Sequence, residues 1–335
     1  MLPGSGRARG DAHRADRRAD AADRGPDVAA TPRSRRELGL GLQSDLEPEE
    51  AAAVGRAAEA AGFDVLSVYN DLLYPPAIAP LLWLAAATER VRLGPAALNP
   101  FTLHPVEIAG QIAALDRASR RRAYLGIARG AWLDRLGLEE ERPLQGLREA
   151  VAIVRLLLAG DRSGLAGERF TLAAGYGLAL DPVCADVPLT VGTWGRKTAA
   201  WAGTVASEVK IGGTANPDLI PVVRQWIGND AVRIVVGAVS VVDVDGSWAR
   251  ERARAAVAPY LDVVAGLDPT LELRPGQPPP LERFAIAGTP EQVAVHVEGL
   301  WAAGADRVEL GTPQGRTVRE GVELLGRRVL PALGR

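Results

Sequence analysis

Arg90-Val91-Arg92-Leu93-Gly94-Pro95-Ala96-Ala97-Leu98-Asn99-Pro100-Phe101-Thr102-Leu103-His104-Pro105 is the stretch on which the fold turns. Its first four residues alternate polar and apolar, the period of a strand. Gly94-Pro95 predicts a break in regular pairing, because proline has no amide to give a ladder. Ala96-Ala97-Leu98 resumes an extended run of small residues, which predicts a bulge facing something bulky. Asn99-Pro100 reads as a turn, and Pro105 stands where proline favours the first position of a helix. A strand that ends in a bulge and hands over to a helix N-terminus can hold a flat ligand. An edge-strand irregularity with no ligand gives the same pattern, so at this stage both readings stand.

The strand-to-helix handover recurs on both sides of that stretch. Upstream, Leu38–Gln43 and Val65–Tyr69 read as strands. The first is followed by a helix that opens at Glu47-Pro48-Glu49-Glu50 and stops at Gly62, and the second by a helix over 78–87. Downstream, Pro105–Ala118 carries Ile108, Ile112 and Leu115 at helical spacing, then 122–127 is a strand and 147–158 an amphipathic helix. After an irregular excursion over 160–186, strands are expected at 188–192, 207–211, 233–242 and 306–310. Helices are expected between them at 196–202, 218–227 and 248–264, then from Thr289, with one more closing the chain. Residues 274–280 form a proline-rich loop. About eight strands, each followed by a helix, make the α/β pattern of a (β/α)8 TIM barrel. Residues 1–36, a polar mixture of Arg, Asp, Ala and Gly, are expected to be a disordered extension ahead of a barrel domain over 37–335.

The totals narrow the function classes. A net charge of −2 over 335 residues asks for neither nucleic acid nor an anionic membrane as partner. One cysteine, Cys184, leaves no disulfide within the chain and fits a reducing, cytoplasmic compartment. Three scattered histidines, His13, His104 and His296, carry no metal-ligand spacing. No apolar run approaches the roughly 18–20 residues of a membrane span, and the N-terminus lacks a signal-peptide core.

In such barrels chemistry lies at the C-terminal ends of the strands. Two such ends, Gly192-Thr193-Trp194-Gly195 and Gly212-Gly213-Thr214, are rich in glycine and threonine and lead into helices. Freed amides, hydroxyls and a helix N-terminus together suit a phosphate, although ordinary turn chemistry accounts for either loop alone. The run Gly192–Thr198 fails the Walker A spacing. Asn70-Asp71 can hydrogen-bond a heterocycle or cap a helix. Gln43 is expected to point into the mouth. His104 reads first as a helix N-terminal contact and second as a pocket residue. Trp132 and Trp194, on mouth loops, can stack on a ring. Arg120-Arg121-Arg122 reads as a solvated turn at the opposite end.

These residues resemble a known family. Gly-Phe-Asp-Val-Leu-Ser-Val at 62–68, Ala-Ala-Ala-Thr-Glu-Arg-Val-Arg-Leu-Gly at 85–94, Asn-Pro-Phe-Thr-Leu-His-Pro at 99–105, Ala-Tyr-Leu-Gly-Ile-Ala-Arg-Gly at 123–130 and Leu-Arg-Glu-Ala-Val at 147–151 resemble the luciferase-like superfamily. Within it the nearest resemblance is to the branch that uses the deazaflavin coenzyme F420, similar to the methylenetetrahydromethanopterin reductases. The resemblance implies a (β/α)8 barrel, commonly a homodimer, with flavin or deazaflavin at the mouth. It implies a non-proline cis peptide between Ala96 and Ala97 as a backrest for the ring. It also places Asn70, Asn99 and Asp134 near the cofactor, and Thr193-Trp194-Gly195 with Gly212-Gly213-Thr214 at its phosphate.

The chain departs from the family at four residues in three places. Many relatives have Asp-His at Asn70-Asp71, sugar-phosphate dehydrogenases have Glu at Ala131, and pterin reductases have Glu at Gln43. Sugar phosphates are therefore not the expected substrates. The reading is an oxidoreductase moving a hydride between F420 and a small unsaturated or carbonyl-like molecule, with Asp71 managing the proton and Gln43, His104 and Trp132 shaping the substrate pocket. An FMN-dependent monooxygenase and a non-catalytic flavin-binding barrel are the alternatives.

Overall fold

The computed structural model describes residues 36–138, 140–180, 185–272 and 278–335. The expectation for residues 1–36 lies almost wholly outside the described residues, as do Cys184 and most of the proline-rich loop.

Eight parallel strands form the barrel: β1 (Glu37–Leu42), β2 (Val65–Val68), β3 (Arg92–Pro95), β4 (Leu125–Ala128), β5 (Leu189–Gly192), β6 (Glu208–Gly212), β7 (Arg233–Val242) and β8 (Arg307–Gln314). Their spatial order is β3-β2-β1-β8-β7-β6-β5-β4. Bridges from Leu93 to Ala123 and from Leu98 to Ile127 join β3 to β4 and close the circle. The strands are buried on both faces and so read as continuous apolar runs. In β7, for example, Ile234, Val235 and Val236 are all buried.

The helices α1 (Pro48–Ala61), α2 (Ile78–Ala87), α3 (Pro105–Ala118), α4 (Pro143–Ala159), α5 (Arg196–Val205) and α6 (Leu219–Ile227) follow the first six strands. After β7 come α7 (Gly246–Val257), α8 (Leu261–Leu267) and α9 (Pro290–Ala302), and α10 (Val318–Leu324) follows β8. Proline opens α1, α3, α4 and α9, where its missing amide would have had no partner. Gly62 ends α1 at φ +99°, as its position in the sequence predicts.

The structure corrects several expectations. β3 runs through Gly94-Pro95 instead of stopping before them, in register with Ser67 and Val68. Proline is accepted there because it is the last residue of the strand, and the Ala96 amide resumes pairing to the Val68 carbonyl at 2.7 Å. The long helix expected over 248–264 is two helices, α7 and α8, because Pro259 cannot donate to the helix ladder. β8 extends past Leu310 to Gln314 through a register shift, and a short strand over Ala285–Gly288 pairs with the outer half of β7. Arg122 is not solvated. It donates to the carbonyls of Ala85, Thr88, Val91 and Ser119 and so fastens the end of α2 beneath the barrel.

The barrel axis carries charge. At its N-terminal end Arg92 and Arg233 bond Glu37 at 2.5 and 2.8 Å, and Arg307 bonds Glu208 at 2.8 Å. Burial pushes the Glu208 carboxyl up, but Arg307, Arg92 and Arg233 outweigh it and hold the group at about 2. Arg307 also reaches up to Glu309 at 3.0 Å, and Glu309 pairs with Lys210. This column stands where an all-apolar barrel would place branched aliphatic residues, and it ends directly below the mouth.

Candidate active site

The C-terminal ends of β1 to β6 surround a mouth whose wall is the β3 bulge. From Leu93 to Pro100 only Ala96 and Ala97 are not buried. The peptide between them is cis, as the resemblance implied. Both residues carry only a methyl side chain and neither is fully buried, so the backbone at this point of the strand end is little covered.

Asn99 holds the turn behind that bulge. It is 5% exposed, and its Oδ1 accepts the Phe101 amide at 2.9 Å. Its Nδ2 rests against Gly130, where a Cβ would lie 2.0 Å away and φ is +84°. Only glycine fits that contact, so the loops after β3 and β4 are keyed together. Asn70 Oδ1 accepts the Ala77 amide at 3.1 Å, at the start of α2, so the capping role applies. Asp71 is exposed and accepts from Gln43 Nε2 at 3.2 Å, which brings these two expected residues together across β1 and β2. Gln43 turns its other end back to the Ser44 amide at 3.1 Å.

His104 takes the N-cap position of α3, with Nδ1 accepting the Val106 amide at 3.3 Å and its ring edge-on to Phe170 at 5.7 Å. The capping reading is the one the geometry favours. Trp132 is 36% exposed in a left-handed conformation, with the Arg135 guanidinium 5.7 Å from its ring, and Asp134 lies exposed on the following short turn. Trp194 is half-buried, and its indole donates to the Gly212 carbonyl at 3.0 Å, tying the loops after β5 and β6 together.

The two glycine-rich loops differ in what they leave free. The amides of Gly213 and Thr214 both donate to the Gly237 carbonyl, and the Thr214 hydroxyl is occupied by Arg283 and Asn216. Thr193 Oγ1 accepts the Gly195 amide at 2.9 Å. The first turn of α5 has no side-chain cap, and Arg196 and Lys197 project from it into solvent. An anion would meet open helix amides and two cations there, while the β6 loop uses its own donors.

Four residues outside the expected set line the floor. Tyr69 follows β2 and lies beneath Asn70-Asp71, with the Lys210 ammonium 5.8 Å from its ring. Tyr260 packs its ring near Gly213. Burial, then the Glu309 carboxylate, drives the Tyr69 hydroxyl well above its ordinary pKa, and burial with Asp71 does the same to Tyr260. Burial opposes ionisation of Glu309, yet Lys210 and Arg307 keep it below the usual carboxylate range. The sequence signal was present: Glu208, Lys210, Arg307 and Glu309 are charges at alternate positions inside strands otherwise apolar. Among the described residues no cluster of His, Cys, Asp or Glu could hold a metal ion, and no helix is long and apolar enough to cross a membrane.

The relatives of the chain agree with this architecture. The 5,10-methylenetetrahydromethanopterin reductase of Archaeoglobus fulgidus is 28% identical over 336 residues, covering 88% of this chain and 99% of the relative. An F420-dependent glucose-6-phosphate dehydrogenase of Beutenbergia cavernae is 34% identical over 191 residues, 50% of this chain and 54% of that one. The solved structure of the coenzyme F420-dependent tetrahydromethanopterin reductase of Methanopyrus kandleri superposes with a TM-score of 0.78 at 24% identity, covering 90% of this chain and all of the other. The family model described as luciferase-like monooxygenase matches residues 27–307. The chain belongs to the luciferase-like monooxygenase family.

Proposed function

We propose that this chain is an oxidoreductase that uses coenzyme F420 to move a hydride to or from a small unsaturated or carbonyl-like molecule. The observation that carries the reading is the end-to-end likeness to a methylenetetrahydromethanopterin reductase, which spans 99% of that relative. The residues present fit the cofactor. Ala96 and Ala97 leave room for a tricyclic ring against the β3 bulge, and the open first turn of α5 with Arg196 and Lys197 suits its anionic tail. Bound there, the deazaflavin supplies the hydride chemistry. The protein's part is to align ring and acceptor to about 3–3.5 Å, which needs positioning more than an acid. Asn99 and Gly130 fix the bulge, Trp194 fixes the phosphate end, and Asp71 with Gln43 borders the acceptor. Trp132 and His104 are the proposed outer wall of the substrate pocket.

The family's name also admits FMN and dioxygen. Side-by-side fluorescence titration of the purified protein with F420 and with FMN separates the two. Saturable F420 binding without FMN binding is expected. FMN binding with substrate-stimulated oxygen uptake would replace this reading by the monooxygenase, and binding without turnover of any acceptor would leave a flavin-binding barrel.

A further inference from the structure

We propose that Tyr69 is the hydrogen-bond donor to the acceptor atom of the substrate, and that this atom is a neutral carbonyl oxygen. The inference rests on the F420 reading above and names the substrate class for that site.

Tyr69 stands at the C-terminal end of β2, one residue before Asn70-Asp71, and is half-buried. Its hydroxyl makes no hydrogen bond to another described residue. The fold makes room for it: a Cβ on Gly41 would lie 2.3 Å from the hydroxyl, and one on Gly311 would lie 2.4 Å from it. Neighbouring strands β1 and β8 thus both carry glycine where the phenol reaches between them. A ring needed only as filler would be served by phenylalanine, with no polar atom to desolvate.

The surroundings decide what such a donor can hold. Lys210 lies below the ring and is neutralised by Glu309, so the floor presents no net positive charge to an anion. The Gln43 amide spends one of its two N–H groups on Asp71. Burial and the Glu309 carboxylate keep the phenol protonated, so it donates throughout the neutral range and does not act as a base. A neutral oxygen acceptor matches this arrangement. As the new C–H bond forms from the hydride, the π pair of the carbonyl system moves onto oxygen, held by Tyr69. The oxygen side of the molecule then takes its proton from the solvent-open mouth. The acceptor is reduced by two electrons, and reduced F420 (F420H2), the hydride donor, is oxidised by two to F420.

The test uses the full chain with the probe cyclohex-2-en-1-one, oxidised F420 for the binding measurements and reduced F420 for turnover, in wild type and Tyr69→Phe. The phenylalanine keeps the ring and removes only the hydroxyl. The expected result is an F420 Kd unchanged within about twofold, an enone Kd for the F420-loaded protein raised about tenfold, and kcat lowered about 10- to 100-fold. The loss should be the same from about pH 6 to pH 9, because a phenol with a raised pKa stays protonated across that range. Gly41→Ala, whose Cβ would meet the Tyr69 phenol first, at 2.3 Å from its hydroxyl, should weaken enone binding in the same direction. Equal enone binding and kcat for wild type and Tyr69→Phe would show that the ring is filler and overturn the proposal. So would a wild-type protein that binds F420 but neither binds nor reduces the enone. A wild type that fails to bind F420 would instead overturn the reading on which the proposal rests.

Discussion

Replacing Glu149 by Gln should loosen the excursion that braces the mouth. Glu149 lies on α4 and is 5% exposed. Its two oxygens accept the amides of Glu168 at 2.9 Å, Arg169 at 2.8 Å and Phe170 at 2.9 Å, and Gln145 donates at 2.8 Å. Phe170 in turn packs 6.3 Å from Phe101 and against His104, directly behind the β3 turn. Burial raises the Glu149 carboxyl, but the four donors outweigh it and bring it from 4.5 to about 2. At about 1.4 kcal/mol per unit, that shift is worth roughly 3 kcal/mol. A glutamine turns an NH2 toward amides that need an acceptor, so most of this is lost.

Amide hydrogen exchange of peptides spanning 165–172 reads the effect locally. At pH 7 the opening equilibrium of these amides should rise by about 100-fold in Glu149→Gln. A carboxyl with a depressed folded pKa contributes fully above its unfolded value of 4.5, and the contribution fades as pH falls through about 2. The two proteins should therefore converge over that window, after correction for intrinsic exchange. Equal protection at pH 7, or a difference that persists undiminished at about pH 2, would refute the reasoning.

Lys210→Met leaves the buried Glu309 carboxylate with Arg307 as its one cationic partner and should cost about 3 kcal/mol in urea unfolding; joint replacement with Glu309→Leu should recover part of it. Gly130→Ala forces a Cβ to within 2.0 Å of Asn99 at a positive φ, so the β3 turn must shift and the F420 Kd measured by fluorescence should rise about tenfold. Arg196→Glu at the open start of α5 should weaken F420 binding several-fold at low salt, about 1 kcal/mol, and the difference should shrink in about 0.5 M salt because the site is exposed.

The alternation of apolar runs with amphipathic segments was enough to place all eight strands and the barrel. Helix boundaries were marked locally, by Pro48, Pro105 and Pro290 opening helices and by Gly62 and Gly160 closing them. At Ala96-Ala97 the local pattern marked an irregularity with or without a ligand, and the cis peptide there came from the family resemblance. What local sequence could not show was how donors are shared between distant loops. Thr214 looks as available as Thr193 in the chain, yet its amide is taken by Gly237, which comes from the next strand.

Sequence by itself settled periodicity and punctuation, since these depend on contacts within a few residues: β1 to β8, the helix caps, the bulge. Tertiary structure alone decided which side chains share the barrel axis. Lys210 and Glu309 are 99 positions apart, and Tyr69 finds its space between Gly41 and Gly311 only when the strands have closed into a circle. The physical reason is that a buried charge or an open cleft is defined by neighbours across the barrel, and one chain segment carries no record of them.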